Sequence, residues 1–402
     1  MTFHAARTAL NSGLLTFCIV LLVLLYNSPG YTTVFDPGAF GVRPEGMGGA
    51  VVGLPNDTIS AFYYNPAGIA ELKGTHVTSG IFRLKMPAEY DGARYKEENS
   101  DTPVLPYIAL VTDAVAPVGL GISVLSTLGT GFSYKDFPLG NRYIDIKSSA
   151  GLLSINPTFA YEVNPRLSLG VEINIGYCIS EMKMPLLTPA AQGYLKTDAD
   201  GFGLGVLLGL LFKISPSLNF GMSWRSPMKT GLKGDFHLEG LNGDMDVDYY
   251  WPQMLLAGIG YYVTPDLALG LCVKWSDWSD FNKSEFKYES FLPDTPVTTG
   301  AEDTWRFQVG MEYFVVKSLA LRCGYIYDPA AIKKETISPM LPDMDIHEIF
   351  AGIGLRIGKF FLELGTNYGM WSETRVSNST TGFEGKYSGY RYGTGIEMTY
   401  CW

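Results

Sequence analysis

A short turn motif recurs six times along the chain, and each copy precedes a long run of alternating residues. Most copies place Pro among small or polar residues, as at Pro165 and Pro265. Their centres lie near residues 117, 165, 216, 265, 317 and 358. Steps of roughly 40–50 residues also separate the blades of a β-propeller, so the spacing by itself leaves two β architectures open.

The residues after each turn distinguish these architectures. From Leu167 to Tyr177, odd-numbered positions hold Leu, Val, Ile and Tyr, whereas the even-numbered positions hold Ser, Gly, Glu and Asn. This alternation is typical of a strand with one apolar face, and about ten residues is the length of a tilted strand that crosses a bilayer. Polar stretches such as 181–200, 230–250 and 279–303 connect the other strand ends. Short turns at one end and long loops at the other predict an outer-membrane β-barrel.

The number of strands follows from the turns. Six hairpins give twelve strands, and two more strands lie near residues 75–86 and 388–402. The last strand alternates from Tyr390 to the terminal Trp402, and an outward aromatic residue there is typical of barrels that the outer-membrane assembly machinery inserts. We therefore predict an all-β fold, a transmembrane antiparallel β-barrel of 14 strands over residues 75–402.

Composition agrees with a wall that has two unlike faces. Charged residues make up 17% of the chain, against about 25% in a typical soluble domain. The mean hydropathy of +0.09 is too low for a bundle of membrane helices. The net charge of −10 argues against a nucleic-acid partner, which would need a basic surface. The scattered Cys and His residues lack metal-ligand spacing, so we expect no metal and no cofactor.

Residues 1–30 are organised like a signal peptide. A weakly basic start contains Arg7, and an apolar run follows from Leu14 to Tyr26. This run fits the 7–15 residues of a signal-peptide core and falls short of the ~20 residues of a membrane-spanning helix. We expect export with cleavage near residues 28–31, and a membrane anchor is the alternative.

Residues 31–74 precede the first strand and do not alternate. They contain Gly48 and Gly49, where glycine permits close packing or a positive φ, and Asn65-Pro66, which favours a turn. A barrel of this size encloses more space than its own side chains fill. We therefore predict that residues 31–74 form a hatch, or plug, inside the lumen.

Four groups of motifs resemble one known family. Residues 43–50 and 65–68, the latter with the sequence Asn-Pro-Ala-Gly, resemble the hatch of the FadL/TodX family of outer-membrane hydrophobic-compound transporters. Residues 275–281 resemble its W-x-x-W-S-x-F motif, and residues 342–345 resemble its P-D-x-D loop. Residues 303–306, followed by residues 319–329, resemble its tenth and eleventh strands. The likeness extends from about residue 36 to residue 402.

The resemblance implies a 14-stranded barrel closed by an N-terminal hatch. In that family a hydrophobic ligand is captured at outer loops, bound beside the hatch and released sideways at a kink in the third strand. In this chain the third strand begins near Gly119, and Gly129-Thr130-Gly131 interrupts it. Because glycine permits a bend, we expect the lateral opening at Gly129 and Gly131. The alternative is that these glycines begin an outer loop.

Aromatic residues fall into two groups. Phe62, Tyr63 and Tyr64 precede Asn65-Pro66-Ala67 and could form with it an apolar ligand pocket, or could only pack the hatch against the wall. The tryptophans near strand ends are expected in the girdles at the membrane interfaces. These are Trp251, Trp275, Trp278, Trp305 and Trp371.

The predicted inward faces carry charges of both signs. Such charges most often form structural ion pairs that hold a plug, because a buried charge needs a partner. Alternatively, some cations bind a ligand carboxylate, and Arg306 and Arg322 on consecutive strands are the candidates. The inward-facing set is Glu172, Arg225, Lys274, Arg306, Glu312, Arg322, Glu348, Arg356, Glu363, Arg391 and Glu397.

Together these features predict a bacterial outer-membrane protein for passive uptake of long-chain fatty acids or other hydrophobic compounds. It is not expected to be an enzyme. The expected partners are the hydrophobic small molecule, outer-membrane lipids and the assembly machinery, and the expected state is a monomer. The alternative is a FadL-like structural or adaptor barrel in protein export or surface attachment.

Overall fold

The computed structural model describes most of the chain after its N-terminus. The described residues are 36, 38–92, 96–98, 104–139, 142–187, 192–238, 241–289, 293–297 and 299–402. The predicted signal peptide, residues 1–30, lies outside this set. No helix in the described ranges is both long and apolar enough to cross a membrane.

The helices of the described residues are short. They are α1 (Val42–Gly46), α2 (Thr58–Tyr63) and the 3₁₀ helices Pro66–Glu71, Trp278–Lys283 and Lys334–Thr336. Asp57 caps α2, because its carboxylate accepts a hydrogen bond from the Ser60 N–H at 2.9 Å. Asn65 caps the next helix in the same way through the Ala67 N–H at 3.2 Å.

Strands make up most of the remaining structure. In chain order they are β1 (Thr75–Lys85), β2 (Ala88–Gly92), β3 (Lys96–Glu98), β4 (Val104–Val115), β5 (Val118–Leu139), β6 (Arg142–Asn164), β7 (Leu167–Leu187), β8 (Gln192–Ser215), β9 (Leu218–Arg225), β10 (Met228–Leu238), β11 (Leu241–Trp251), β12 (Met254–Thr264), β13 (Leu267–Ser276), β14 (Glu285–Tyr288), β15 (Thr295–Pro296), β16 (Thr304–Val316), β17 (Leu319–Asp328), β18 (Ile346–Ile357), β19 (Phe360–Trp371), β20 (Thr374–Val376) and β21 (Gly385–Cys401).

These strands form a closed antiparallel wall of 14 strands, which confirms the predicted fold class. β9 and β10 make one wall strand, as do β11 and β12, and the short β2, β3, β14, β15 and β20 extend the outer end of the wall. β1 pairs with β4 on one side and with β21 on the other, so the sheet closes on itself. The six predicted turns all join neighbouring wall strands, from β4–β5 to β18–β19.

The two faces of the wall follow the alternation of the sequence. Leu169, Val171 and Ile173 on the outer face of β7 are 43%, 40% and 44% exposed, whereas Ser168 and Glu172 on its inner face are buried. Apolar side chains therefore face the position of the lipid, and polar side chains face the lumen.

The tryptophan girdle was predicted wrongly at three positions. Trp305 is exposed on the outer face, but Trp251, Trp278 and Trp371 are buried. Trp251 ends β11 at a break in the wall strand, and its indole N–H donates a hydrogen bond to Thr230 at 3.0 Å. A strict alternation continued across such a break assigns side chains to the wrong face.

The described residues before β1 lie within the barrel, and we call residues 38–72 the N-terminal segment. Helix α1 contacts β17, β18, β19 and β21, whereas the 3₁₀ helix Pro66–Glu71 contacts β5, β6, β7 and β8. Helix α2 contacts β1 and β4. The N-terminal segment therefore crosses the lumen and touches the wall on opposite sides.

Inward-facing glycines let the wall meet the N-terminal segment backbone to backbone. A Cβ atom on any of them would overlap the segment, and the contacts are Gly170 with Pro66, Gly221 with Val52, Gly270 with Ala50, Gly310 with Met47, and Gly324 with Gly48. Gly260, which lies against Leu54 and Gly53, pairs in one row with Gly270, Gly310 and Gly324 across β12, β13, β16 and β17. Only a residue without a side chain permits this approach.

We expect Gly270→Ala to destabilise the barrel by about 1–3 kcal/mol, because the new methyl group would collide with the Ala50 carbonyl oxygen and neither backbone can move freely. Gly231→Ala is the matched control, since its nearest neighbour would lie 3.5 Å away. Urea unfolding in lipid vesicles measures both free energies. Equal stability of the two variants would contradict the proposed close packing.

Candidate functional site

The outer half of the lumen is lined with apolar side chains, and we call this region the apolar lumen. Its wall members include Phe132, Tyr134, Ile146, Leu152, Leu232, Phe236, Met245 and Trp251, all in one buried cluster. Ile332, Met344 and Phe383 from the outer loops belong to the same cluster and cover it from outside. Tyr64 of the N-terminal segment belongs to it, and Tyr63 packs against it from below.

The three aromatic residues predicted to share a pocket point in different directions. Phe62 packs in a second cluster, with Ile69 and Tyr107, on the side of β4. Tyr64 is buried, and its hydroxyl oxygen accepts a hydrogen bond from the Phe40 N–H at 2.8 Å. Tyr63 alone is half-buried, so of the three it is the side chain that a ligand in the lumen could reach.

Tyr63 is held from three sides. Its ring stacks on Phe40 with 4.9 Å between centroids, and its hydroxyl donates a hydrogen bond to Asp36 at 3.1 Å. The guanidinium of Arg225 lies over the same ring, 5.3 Å from the centroid. Tyr63 therefore links the N-terminal segment to a cation on the wall.

Asn65-Pro66-Ala67 anchors the N-terminal segment to the wall. The Asn65 amide donates to the carbonyl oxygens of Val52 and Leu210, both at 2.9 Å. Pro66 starts the 3₁₀ helix, and Ala67 supplies the capped N–H. Because the donors of Asn65 are used within the protein, this motif positions the segment and offers little to a ligand.

The first cluster of charges lies where the N-terminal segment meets β16, β17 and β19. Arg43 binds Asp57 at 2.7 Å and Glu312 at 2.9 Å. Arg322 binds Glu312 at 2.6 Å and also Glu363. Glu312 therefore bridges the segment's arginine and the wall's arginine, so Arg322 has the geometry expected of the structural alternative.

The second cluster of charges surrounds Asp36. Lys274 pairs with Asp36, and Arg306 lies 3.2 Å from the same carboxylate. Arg306 also binds Asp328 at 2.6 Å and donates to the Gly38 carbonyl at 3.1 Å. The two arginines chosen from the sequence are thus apart in the lumen, and each is already bound to two carboxylates.

The pairing of β5 is one-sided in its outer part. The ladder between β4 and β5 runs from Val115–Val118 to Ile108–Val124. Beyond Val124 the described residues of β5 pair only with β6, and a bulge interrupts that ladder between Ser126 and Leu128.

Gly129 and Gly131 both lie in this one-sided part of β5. They pair with Gly151 and Ser149 of β6, so they belong to a strand and do not begin an outer loop. A strand edge without a second partner, next to a bulge, is a place where a barrel wall departs from regular geometry.

Arg225 belongs to the predicted inward-facing charges, but it was not among the cations chosen as ligand candidates. It ends β9, directly before Ser226-Pro227. Arg225 and Met228 face the same small cavity, although a strict alternation would place an odd and an even position on opposite faces of the wall. The alternation from Leu218 to Arg225 predicts that Arg225 faces the lumen, and the proline two residues later marks an interruption of the strand.

Two cavities open on the side of the six turns. One, of about 370 Å³, is lined by residues that include Leu54, Glu71 and Lys213. The other, of about 250 Å³, reaches Arg43 and Arg322. Each lining combines apolar side chains with ion pairs, such as Lys213 with Glu71 and Arg322 with Glu363.

No group of three or more His, Cys, Asp or Glu side chains within the described ranges is placed to hold a metal ion. The described Cys residues at 178, 272, 323 and 401 are not joined by disulfides.

The outer loop between β17 and β18, residues 329–345, is folded back by its own carboxylates. Asp343 accepts hydrogen bonds from the Ala331 and Ile332 N–H groups at 2.6 and 2.9 Å. Asp345 accepts one from the Ala330 N–H at 2.8 Å. Burial raises the pKa of Asp343 to about 7, although both N–H donors lower it.

This pKa predicts a pH-dependent loop. The folded loop binds the Asp343 proton more tightly than an open loop does, so its stability is greatest at low pH and falls as the pH rises towards 7. We expect amide exchange at Ala331 and Ile332 to accelerate by about tenfold or more between pH 5 and pH 8, after correction for intrinsic rates. Asp343→Asn, which cannot ionise, should remove this dependence.

The Ser284 amide, in another outer loop, is the internal reference for this exchange measurement. A pH profile that is the same in the wild-type protein and in Asp343→Asn would show that Asp343 does not control the loop.

A closed wall of 14 strands, an apolar outer surface and a lumen occupied by an N-terminal segment define a class of protein, the outer-membrane transport barrels. Residues 42–402 match the family described as Outer membrane protein transport protein (OMPP1/FadL/TodX), and the chain belongs to that family. The predicted family and the bacterial outer-membrane location are therefore confirmed.

Known proteins of this kind differ in what their names say they transport. A long-chain fatty acid transport protein of Escherichia coli O6:H1 is 23% identical over 295 residues, which are 62% of this chain and 65% of that protein. Another of Salmonella typhi is 19% identical over 427 residues, 95% of this chain and 98% of that protein. The crystal structure of the Pseudomonas putida toluene transporter TodX has a TM-score of 0.75 at 16% identity, covering 91% of this chain and 99% of that one.

Proposed function

We propose that this barrel takes up hydrophobic compounds passively by binding them in the apolar lumen and releasing them sideways beside β5. The observation that carries the proposal is the continuous apolar lining between the outer loops and the N-terminal segment. An apolar lining with a few polar groups at its edge is typical of sites for hydrophobic ligands. The names of the relatives support fatty acids and aromatic hydrocarbons as ligand classes.

The ligand pocket in this proposal lies on top of the N-terminal segment. Tyr63 and Tyr64 form its floor, and Phe62 with the Asn65-Pro66-Ala67 turn holds that floor in place. Binding of a ligand carboxylate by Arg306 or Arg322 stays a prediction. Such a ligand would have to displace one of the carboxylates already bound to each arginine.

Two features support release through the wall rather than through the floor. Among the described residues, the part of β5 beyond Val124 pairs with β6 only. The cavities below the floor contain ion pairs beside their apolar side chains, and a hydrocarbon chain that passed there would have to desolvate these charges. Uptake then needs no ATP, because the ligand moves from one apolar environment to another. The barrel acts as a monomer that the outer-membrane assembly machinery inserts.

The test of this function is the content of the purified barrel. Solvent extracts analysed by mass spectrometry should contain about one molecule of hydrophobic compound per barrel. The control is an outer-membrane barrel from another family, purified in the same detergent, which should not retain such compounds. A barrel that is empty, and that remains without binding when fatty acids and toluene are supplied, would overturn the proposal. Secreted proteins retained in place of lipids would favour an adaptor.

The release route predicts a separation of binding from transport. Replacing Gly129 and Gly131 together by Val should stiffen β5, because β-branched side chains restrict the strand and glycine permits it to bend. We expect uptake into vesicles to slow by roughly fivefold or more while equilibrium binding in detergent stays unchanged. Gly231→Val, on the wall away from β5, is the control. Unchanged uptake in the double variant would exclude these glycines from the route.

A further inference from the structure

The cavity of about 250 Å³ on the side of the six turns has no part in the proposed uptake, and we call it the turn-side cavity. It lies between helix α2 of the N-terminal segment and wall strands that include β16, β17, β19 and β21. Its lining contains the carboxylates of Asp57, Glu312, Glu363 and Glu397. Because a buried carboxylate is costly unless a cation or hydrogen-bond donors offset it, the partners of these four groups show what the cavity lacks.

Three of the four carboxylates are bound by arginine. Asp57 pairs with Arg43 at 2.7 Å. Glu312 accepts hydrogen bonds from Arg43 on both of its oxygens, and Arg322 donates to one of them as well. Glu363 uses both of its oxygens for Arg322. The protein therefore neutralises these three carboxylates itself.

Glu397 differs from these three. It is 3% exposed, and no arginine or lysine of the described residues forms an ion pair with it. Its two hydrogen bonds come from the Tyr107 hydroxyl at 2.6 Å and the Val42 N–H at 3.3 Å, and both reach the Oε2 atom. The Oε1 atom accepts no hydrogen bond from the described part of the chain. One oxygen of a negatively charged group is thus left for a donor that comes from elsewhere.

A hydroxyl group in the same lining also has no partner. Thr58 begins α2, lines the turn-side cavity and is 2% exposed. Its Oγ1 atom forms no hydrogen bond with any of the described residues. Buried hydroxyls are nearly always paired, because an unmade hydrogen bond leaves the cost of desolvation uncompensated. Independently of the charges, Thr58 therefore indicates a missing polar ligand in this cavity.

The two free acceptors suit an ammonium ion better than a metal ion. No three His, Cys, Asp or Glu side chains in the described ranges surround one metal position, and a hard cation such as Ca²⁺ takes about six to eight oxygen ligands. A primary ammonium group carries three N–H donors and no acceptor. The Oε1 atom of Glu397 and the Oγ1 atom of Thr58 are acceptors of the kind it needs, and its charge offsets the carboxylate.

The remainder of the lining suits a short alkyl chain. Phe314, Ala320 and Phe361 supply apolar surface in the same cavity. Its volume equals that of about eight water molecules at ~30 Å³ each, which is enough for an amine of four carbon atoms. Lys317 and Arg356 also line the cavity, but both are exposed at the turns, where water and salt screen their charges. The buried part of the cavity therefore keeps one unbalanced negative charge beside apolar side chains.

We propose that the turn-side cavity binds small primary alkylammonium ions from the periplasm, with Glu397 as the charge partner and Thr58 as a second acceptor. The short turns of such barrels face the periplasm, so the cavity is reached from that side. It lies on the other side of the N-terminal segment from the apolar lumen, and this inference is therefore independent of the proposed uptake. The bound ion supplies the cation that none of the described side chains brings to Glu397.

The test compares one short chain with two headgroups. Butan-1-amine, which is charged at pH 7, and butan-1-ol are titrated calorimetrically into the purified full-length barrel in neutral detergent. The wild-type barrel should bind the amine saturably and should not bind the alcohol. Glu397→Gln keeps the shape of the side chain and removes its charge, so it should weaken amine binding by about tenfold or more. Thr58→Val replaces the hydroxyl by a methyl group and should weaken it by about two- to tenfold.

Asp266→Asn is the matched control, because Asp266 is an exposed carboxylate on the turn between β12 and β13, and it should leave the amine affinity within about twofold. The heat-dependent gel shift of each variant checks that the barrel is folded.

Three results would overturn the ammonium site. They are a wild-type barrel that does not bind butan-1-amine, one that binds butan-1-ol equally well, and an amine affinity that is unchanged in both Glu397→Gln and Thr58→Val. None of them affects the proposed uptake, which is measured by the hydrophobic compounds that the barrel retains. That content should be the same in Glu397→Gln as in the wild-type protein.

Discussion

The structure depends on one requirement of the lipid phase, that each backbone N–H and C=O within the membrane finds a partner in the protein. A sheet meets it only by closing, which here occurs where β1 pairs with β21. Closure of 14 strands leaves a wide lumen, and the N-terminal segment occupies it. The inward glycines that face this segment allow its backbone to lie directly against the wall.

The charges of the lumen follow from the same geometry. Asp36 and the segment's Arg43 and Glu45 lie in a space of low polarity. On the wall, Lys274 pairs with Asp36, Glu312 pairs with Arg43, and the Asn367 amide donates to Glu45. Because these charges are offset where the N-terminal segment meets the wall, the outer part of the lumen is apolar. The division between a charged floor and an apolar chamber is therefore a consequence of placing a polar backbone inside a barrel. A ligand with a polar end meets the floor first.

Much of the fold could be read from local pattern, because alternation of period two survives in any strand that faces lipid on one side. The six turns, with the first and last strands, were sufficient for the strand number, and Asn65-Pro66 indicated a turn in the hatch. The candidate cations were less predictable. Arg306, Arg322 and Arg225 look alike in the sequence, and what separates them is whether a distant carboxylate, such as Glu363 or Asp328, comes within reach.

The sequence by itself determined the closed wall, its 14 strands, the lipid-facing side of each strand and the family, because these depend on residues near one another in the chain. Tertiary structure alone decided which charges neutralise one another, where glycine meets backbone and which side chains line the lumen. Breaks such as Ser226-Pro227 shift the alternation, so Trp251 points inward and Arg225 shares a cavity with Met228. Contacts between residues hundreds of positions apart leave no periodic mark in the chain.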